Sequence, residues 1–490
     1  MQILNSFIKF GFLMLLYTAI SVQASAGKIV TFDVPAGIAE NRDFEVYVKS
    51  ENTAAKKLFS YQVEVDAHKV QKSSMVRFDF DNKAQLAIVH KNGTVNSVRI
   101  RPLSYNIAHR LSGDTIFIEM NKALNLSVEV NGDIYRNLHI FTNRPETYIP
   151  DRDDKNVVYL DNGIHTIDSL YLKSHQTLYL SGGAVLRGKI VCDKVKNVRI
   201  MGRGIVYRGQ RGVEITHSEN VSVENLIFIN PTHYTVFGGQ SKHLRITGIR
   251  SFSSRGWSDG IDLMSCSDVL IDSVFMRNSD DCIALYGHRW DYYGDSRNIT
   301  VQNSSLWADV AHPIMIGTHG NFRRGKSETL EHYTFRNIDI LNHDEMQINY
   351  QGCIAINVSD ENQARNILFE DIRIEDFQRG QLFNIRVTFN KKYAKRPGRS
   401  IENITFRNVE YNGKNAEISV IEGFSDKRAV RNIVFEGLRI NGVEISPSGI
   451  NKKHMKYSDF AKIYEGNYVE NIIFKSSQPA KENITENKVL

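Results

Sequence analysis

Two short segments of this 490-residue chain carry acids where acid–base chemistry wants them: Ser258-Asp259-Gly260-Ile261-Asp262-Leu263 and Ser279-Asp280-Asp281-Cys282-Ile283-Ala284-Leu285. Ile261 and Leu263 match Ile283 and Leu285 as inward residues of two stacked strands. That alignment sets Asp259 beneath Asp281, with Asp280 one residue to the side, and neighbouring strands lie about 4.8 Å apart. A third segment, His312-Pro313-Ile314-Met315-Ile316, brings His312 into the same column when Ile314 and Ile316 point inward. Carboxyls so crowded do not all ionise; one pKa is pushed up, leaving a proton donor beside ionised neighbours. Cleavage of a glycosidic bond needs that pairing, an acid for the leaving oxygen and a base for water. Asx turns at bends account for Asp268 and Asp272. They account poorly for three stacked acids, because like charges piled together cost stability. A calcium site is the rival use of clustered carboxylates; no metal and no cofactor is assigned.

Such columns require a stack of strands, and the sequence supplies one. From about residue 156 a phrase recurs: Asn, aliphatic, any residue, aliphatic or Phe, then a polar residue. It reads Asn197-Val198-Arg199-Ile200, Asn220-Val221-Ser222-Val223, Asn298-Ile299-Thr300-Val301, Asn366-Ile367-Leu368-Phe369, Asn403-Ile404-Thr405-Phe406, Asn432-Ile433-Val434-Phe435 and Asn471-Ile472-Ile473-Phe474. Degenerate copies begin near His243, Asp268 and His332, and the shortest spacing is 23 residues. Alternating apolar residues are strand positions facing one side, and the polar residue after the strand suits a tight bend. Strand, bend and strand at that period describe one coil of a right-handed parallel β-helix, over residues 156–480. Leucine-rich repeats carry a different consensus, and propeller blades need longer periods. Residues 27–155 read as a small antiparallel β-sandwich, with runs such as Phe44 to Val48, Leu58 to Val65, Met75 to Phe80 and Leu126 to Val130. The fold class is therefore all-β.

Composition narrows the partners. Hydrophobic residues make up 41% and charged residues 24%, which permits a packed core. A net charge of +6 is too small for a nucleic-acid stripe and is compatible with an acidic polymer. Lys9, the apolar run Phe10 to Ile20 and Ala24-Ser25-Ala26 read as a signal peptide over residues 1–26. The expectation is a periplasmic or secreted protein without a membrane span after cleavage. Cys192, Cys266, Cys282 and Cys353 contain no zinc-type pair; Cys266 and Cys282 either pair across adjacent coils or remain buried thiols.

Asp259-Gly260, the pair Asp280-Asp281 and His312 before an aliphatic strand ending at Gly317 resemble the polygalacturonase family, glycoside hydrolase family 28. The resemblance implies the pectin-lyase-like fold and an inverting hydrolase. Asp280 would be the general acid, and Asp259 and Asp281 would hold the attacking water. The family's Arg-x-Lys, which grips a substrate carboxylate, is not matched: the corresponding strand reads Gly352-Cys353-Ile354-Ala355-Ile356-Asn357. A second resemblance, to the dextranase and isopullulanase family, glycoside hydrolase family 49, rests on the preceding sandwich, Arg101-Pro102-Leu103-Ser104-Tyr105, Ser127-Val128-Glu129-Val130 and Trp307. That family acts on neutral α-glucans.

Candidate substrate contacts are Trp257, His288, Arg289, Trp290 and Tyr293, rings that can stack on sugars and a guanidinium that can meet an acid or sulfate. His319, Arg323 and Arg386 join them. The functional expectation is a hydrolase of an acidic pectic or sulfated polysaccharide. An α-glucan hydrolase, a polysaccharide lyase and a non-catalytic glycan-binding β-helix are the alternatives.

Overall fold

A computed structural model describes residues 27–51, 53–322, 328–451 and 455–477. The leader read from residues 1–26 and Arg323 lie outside the described residues.

The recurring phrase builds a single stack. Parallel strands from Val157–Leu160 to Val469–Lys475 join in a continuous 29-stranded sheet that winds through the coils. The first aliphatic residue of each phrase lies over the last: Val198, Val221, Leu244, Val269, Ile299, Tyr333, Ile367, Ile404, Ile433 and Ile472 follow one another in register. The second forms another inward column. Its later members Phe335, Phe369, Phe406, Phe435 and Phe474 stack with ring centroids 4.8 to 5.0 Å apart.

The expected left-handed bend follows the strands, at Asn225, Asn303, Asn337, Asp371 and Asn408 (φ 51 to 61°). The leading residue of each phrase also turns left-handed, with φ 55 to 61° at all seven Asn. The degenerate starts His243, Asp268 and His332 do the same, at φ 55 to 59°. Asn tolerates this region because its short amide bonds locally. Here the amides also bond from coil to coil: Asn220 to Asn197 at 2.7 Å, Asn298 to Asp268 at 2.9 Å, Asn403 to Asn366 at 3.1 Å and Asn432 to Asn403 at 2.9 Å.

The first part of the chain folds as two facing sheets. One holds Lys56–Leu58, Phe44–Lys49, Ala84–His90, Thr115–Met120 and His109–Ser112, all antiparallel. The other is mixed rather than antiparallel throughout, since Leu138–Asn143 runs parallel to Gln71–Phe80. The run Leu58 to Val65 is not one strand. The chain leaves the first sheet after Leu58 and joins the second as Tyr61–Val65.

The sandwich seats on the flank of the stack through an apolar patch that includes Val63, Met75, Phe141, Phe252, Phe275 and Trp307. Buried ion pairs lock the contact. Arg101 meets Glu129 at 2.9 Å and Glu375 at 2.6 Å, with its guanidinium 4.7 Å from the Trp307 ring. Arg277 grips both oxygens of Asp309 at 2.9 and 3.0 Å and reaches Asn137 at 3.0 Å. Arg203 reaches Asp79 at 2.7 Å. All four cysteines are buried and free, so Cys266 and Cys282 do not pair.

Candidate active site

Strand register puts the acids together. Ile261 lies opposite Ile283 and Leu263 opposite Leu285, while Ile283 lies opposite Ile314 on the next coil. The bends before these strands stack too. Gly260 N donates to the Asp281 carbonyl, and Cys282 N to the His312 carbonyl, both at 2.8 Å. One carboxylate oxygen from each of Asp259, Asp280 and Asp281 lies within 4.8 Å of the others.

Each acid has a different environment. Asp281 Oδ1 accepts from His312 Nδ1 at 2.6 Å and from His312 N at 3.2 Å; Tyr286 OH donates to Oδ2 at 3.2 Å. The other imidazole nitrogen bonds to the Tyr350 carbonyl. Burial alone would pull His312 down, but the Asp281 charge wins and lifts it to about 9. With both ring nitrogens facing acceptors, His312 is an imidazolium that holds the Asp281 side chain in place. Asp280 accepts from Trp257 N at 2.9 Å and Asp281 N at 3.1 Å. Burial, then the Asp281 charge, pushes Asp280 up to about 7, so a large share of it keeps its proton in neutral solution. Burial and three carboxylate neighbours hold Asp259 well above the usual range.

These acids floor a cavity of about 510 Å³ that Trp257, Arg289, His319 and Tyr350 also line. A larger hollow of about 660 Å³ crosses the outer sheet of the sandwich, by Tyr47, Ala87 and Phe117. It holds no cluster of acids among its lining residues.

Arg289 comes from a hairpin in which His288–Arg289 pairs with Tyr292–Tyr293. Its guanidinium lies 5.5 Å from the Trp257 ring and 5.3 Å from Trp290, and it bonds to His319 Nε2. Burial and the Arg289 charge drive His319 well below its ordinary value, which keeps it a neutral acceptor. Arg289 makes no ion pair among the described residues, and its buried Nε has no partner. It is a desolvated cation left free beside the acids. Trp257 lines the cavity and is 58% exposed, whereas Trp290, 43% exposed, does not line it and packs against Arg289, His233 and Tyr234. Both hold left-handed backbones, φ 67° and 53°, costly for a bulky residue and typical of a functional site.

The other expected contacts lie elsewhere. His288 and Tyr293 face each other in the hairpin stem and do not line the cavity. Arg386 is outside it, bonded to Glu422 at 2.9 Å beside a neighbouring hollow of about 500 Å³. Several lining residues escaped the sequence reading. Lys392 and Tyr393 both donate to Gln347 Oε1, at 2.8 and 3.0 Å, across the cavity from Arg289. The run Lys391-Lys392-Tyr393 was a faint signal, a cation beside a ring. Asp262, fully buried and not among the lining residues, was in plain view but unassigned.

The three acids are also the group that could converge on a cation. However, each oxygen of Asp280 and Asp281 already accepts a hydrogen bond. A hard cation wants six or more oxygens, so the arrangement suits proton transfer better.

The model of glycosyl hydrolases family 28 matches residues 174–459. The chain belongs to that family. The family is one of glycosyl hydrolases. The probable endopolygalacturonase D of Emericella nidulans is 27% identical over 192 residues, 38% of this chain and 32% of the relative. A probable polygalacturonase of Vitis vinifera is 28% identical over 98 residues, 20% of each chain. The matched region thus spans about a third of the fungal relative's length. Among solved structures, Dex49A from Penicillium minioluteum superposes with a TM-score of 0.55 at 13% identity, covering 91% of this chain and 96% of that one. That likeness concerns the fold.

Within the family 28 frame, the position expected for the Arg-x-Lys pair is apolar. Ala355 lies opposite Met315 and is buried among Tyr286, Met315 and Tyr350. The cations of this family 28 cavity come instead from bends, Arg289 on one side and Lys392 on the other.

Proposed function

We propose that this family 28 protein is an exported glycosidase that cuts an acidic polysaccharide with inversion at the anomeric carbon. Asp280 delivers a proton to the glycosidic oxygen while Asp259 and Asp281 hold the attacking water. One observation carries the reading: Asp280, pushed up to about 7, stands beside Asp281, whose Oδ1 accepts a hydrogen bond from His312 Nδ1 at 2.6 Å. A carboxyl raised toward neutrality beside a second one held by an imidazole, in one cavity, suits the acid and base roles of glycosidic hydrolysis.

The acids lie within 4.8 Å of one another, closer than the usual ~6.5–9.5 Å of inverting pairs. Inversion is nonetheless favoured by the state of the carboxylates. A retaining enzyme needs a free anionic nucleophile. Asp281 is held by His312 and Tyr286, and Asp259 is buried and hard to ionise. Two such groups orient a water better than either attacks a sugar.

An acidic polymer is supported by Arg289, a desolvated guanidinium without an anion of its own. Lys392 adds a second cation across the cavity. The apolar site at Ala355 favours the second reading, a neutral α-glucan. Export rests on the leader-like residues before Gly27.

The test is a panel of pectic, sulfated-galactan and α-glucan polymers read by reducing-end release, with proton NMR of the first product anomer. New reducing ends from an acidic polymer, appearing as the inverted anomer, are expected. Asp280→Asn should fold and lose ~10²–10⁴-fold in kcat. An unsaturated product, or near-normal turnover by Asp280→Asn, defeats the assignment.

A further inference from the structure

The cavity is lined by one carboxylate that the proposed mechanism does not use. Glu345 faces it and is 6% exposed. The bend that carries it stacks on the column of acids. Asp344 bridges to Ala311, whose N donates to the Asp344 carbonyl at 2.9 Å, and Glu345 N reaches the Arg379 carbonyl at 3.3 Å. Ala311 precedes His312, one coil beyond Asp281. Glu345 therefore stands two strand spacings along the stack from Asp281, about 10 Å. That is far enough to meet a neighbouring sugar rather than the one being cut.

Half of this carboxylate is fixed and half is open. Oε1 accepts from Gln347 N at 2.7 Å and from Gln347 Nε2 at 3.2 Å. Gln347 is itself pinned, because its Oε1 accepts from Lys392 Nζ at 2.8 Å and from Tyr393 OH at 3.0 Å. Among the described residues, Oε2 has no hydrogen bond and no ion pair, unlike Asp344 next to it, which accepts from Arg379 Nε at 2.9 Å. Nor is Oε2 sealed in: the enclosed polar atoms without partners include Asp259 Oδ1 but not Glu345 Oε2. An acceptor so placed favours a ligand that brings its own donor. Sugar hydroxyls are such donors; carboxylates and sulfates are not.

Arg289 lies elsewhere in the cavity, over Trp257 and bonded to His319, and no contact joins it to Glu345 among the described residues. Lys392 does not cancel Glu345. Its ammonium is exposed, where solvent and salt screen it, whereas Glu345 is buried and acts at close range.

We propose that Glu345 is a specificity-determining residue: it accepts hydroxyl hydrogens from a neutral sugar next to the acidic one at Arg289, so the substrate is a heteropolymer whose acidic residues are separated by neutral ones. This deepens the acidic-polymer reading and rests on it. A chain charged at every residue sets an anion against Glu345 and is refused.

Two probes of equal length test the choice: an oligouronate, and an oligosaccharide in which every second uronate is replaced by a neutral hexose. In the parent, kcat/KM should be ~30-fold or more higher on the mixed probe, as a like-charge contact at close range imposes. Glu345→Gln keeps the shape and the bond from Gln347 N but turns the open oxygen into an N–H donor. It should gain ~10-fold on the oligouronate and stay within about threefold on the mixed probe, through KM rather than kcat. Glu345→Ala should raise KM on the mixed probe ~10-fold with kcat near the parent's. Circular dichroism and melting verify that both variants fold. Equal losses on the two probes in Glu345→Gln, carried by kcat, mean that Glu345 acts through the charge it adds at His312, and they overturn the proposal. A parent that prefers the oligouronate, or a Glu345→Gln that leaves the preference unchanged, overturns it too. Calorimetry in an Asp280→Asn background should give the same order of Kd without turnover. Binding in that order with no cleavage by the parent sinks the hydrolase reading and leaves Glu345 as the selector. Binding of neither probe overturns the proposal.

Discussion

Buried ionisable groups occupy two places in this molecule, under opposite rules. Where the sandwich meets the stack, buried charges are compensated: Arg101 faces Glu129 and Glu375, Arg277 faces Asp309 and Arg203 faces Asp79, while Arg250 and Arg77 donate to carbonyl, amide and hydroxyl oxygens. At the cavity, Asp259, Asp280 and Asp281 line the floor and Asp262 is buried nearby, and among the described residues His312 is the cation paired with them. The first arrangement compensates desolvation and yields a unique docking; the second leaves it uncompensated and yields perturbed acids. The difference separates groups kept for structure from groups kept for reactivity, and it has measurable consequences.

The largest effect should come from breaking a docking pair. Arg277→Ala leaves Asp309 buried without its partner and should cost about 3–5 kcal/mol, read as a lower midpoint in chemical denaturation. A smaller effect of opposite sign belongs to the cavity. Asp280 has a folded pKa of about 7, above its unfolded value near 4. Its contribution to stability is complete below pH ~4 and is lost as pH rises through 7. Asp280→Asn should therefore melt ~2–4 °C above the parent at pH 8 to 9, with the gap closing at acid pH. A stabilised Arg277→Ala, or an Asp280→Asn destabilised at pH 9, would erase the contrast. The smallest effect sharpens it at the substrate. Arg386, which already has Glu422, should tolerate Ala with KM changed less than about twofold, whereas Arg289→Ala should raise KM on an acidic polymer ~10-fold or more.

The backbone plan was legible because it is local. The Asn phrase states its own alternation, so the inward columns and the pairing of Ile261 with Ile283 and of Ile283 with Ile314 follow from counting. The acids and His312 come with that register. What escaped depends on packing at a distance. The sequence marks Asp262 as outward but does not say that a hairpin and aromatic rings will cover it. Lys392 reaches the cavity from a loop more than a hundred residues beyond Asp280, with no periodicity to aim it. Arg386 had the right residue type and strand parity, but Glu422 on the next coil claims it. In the sandwich, the crossing after Leu58 and the parallel pair of Leu138–Asn143 with Gln71–Phe80 depend on which sheet each run joins, and alternation is the same in both.

The reacting acids begin short strands of the coil body, while Arg289, Trp290 and Lys392 stand on segments that loop out between coils. A scaffold divided in this way is modular. On the proposed reading, exchanging the hairpin after Gly287 or the loop around Lys392 would replace the parts that select a sugar and leave the acids seated. Such a chassis can diversify by swapping its outgrowths, and related proteins can share their acids while preferring unlike polymers.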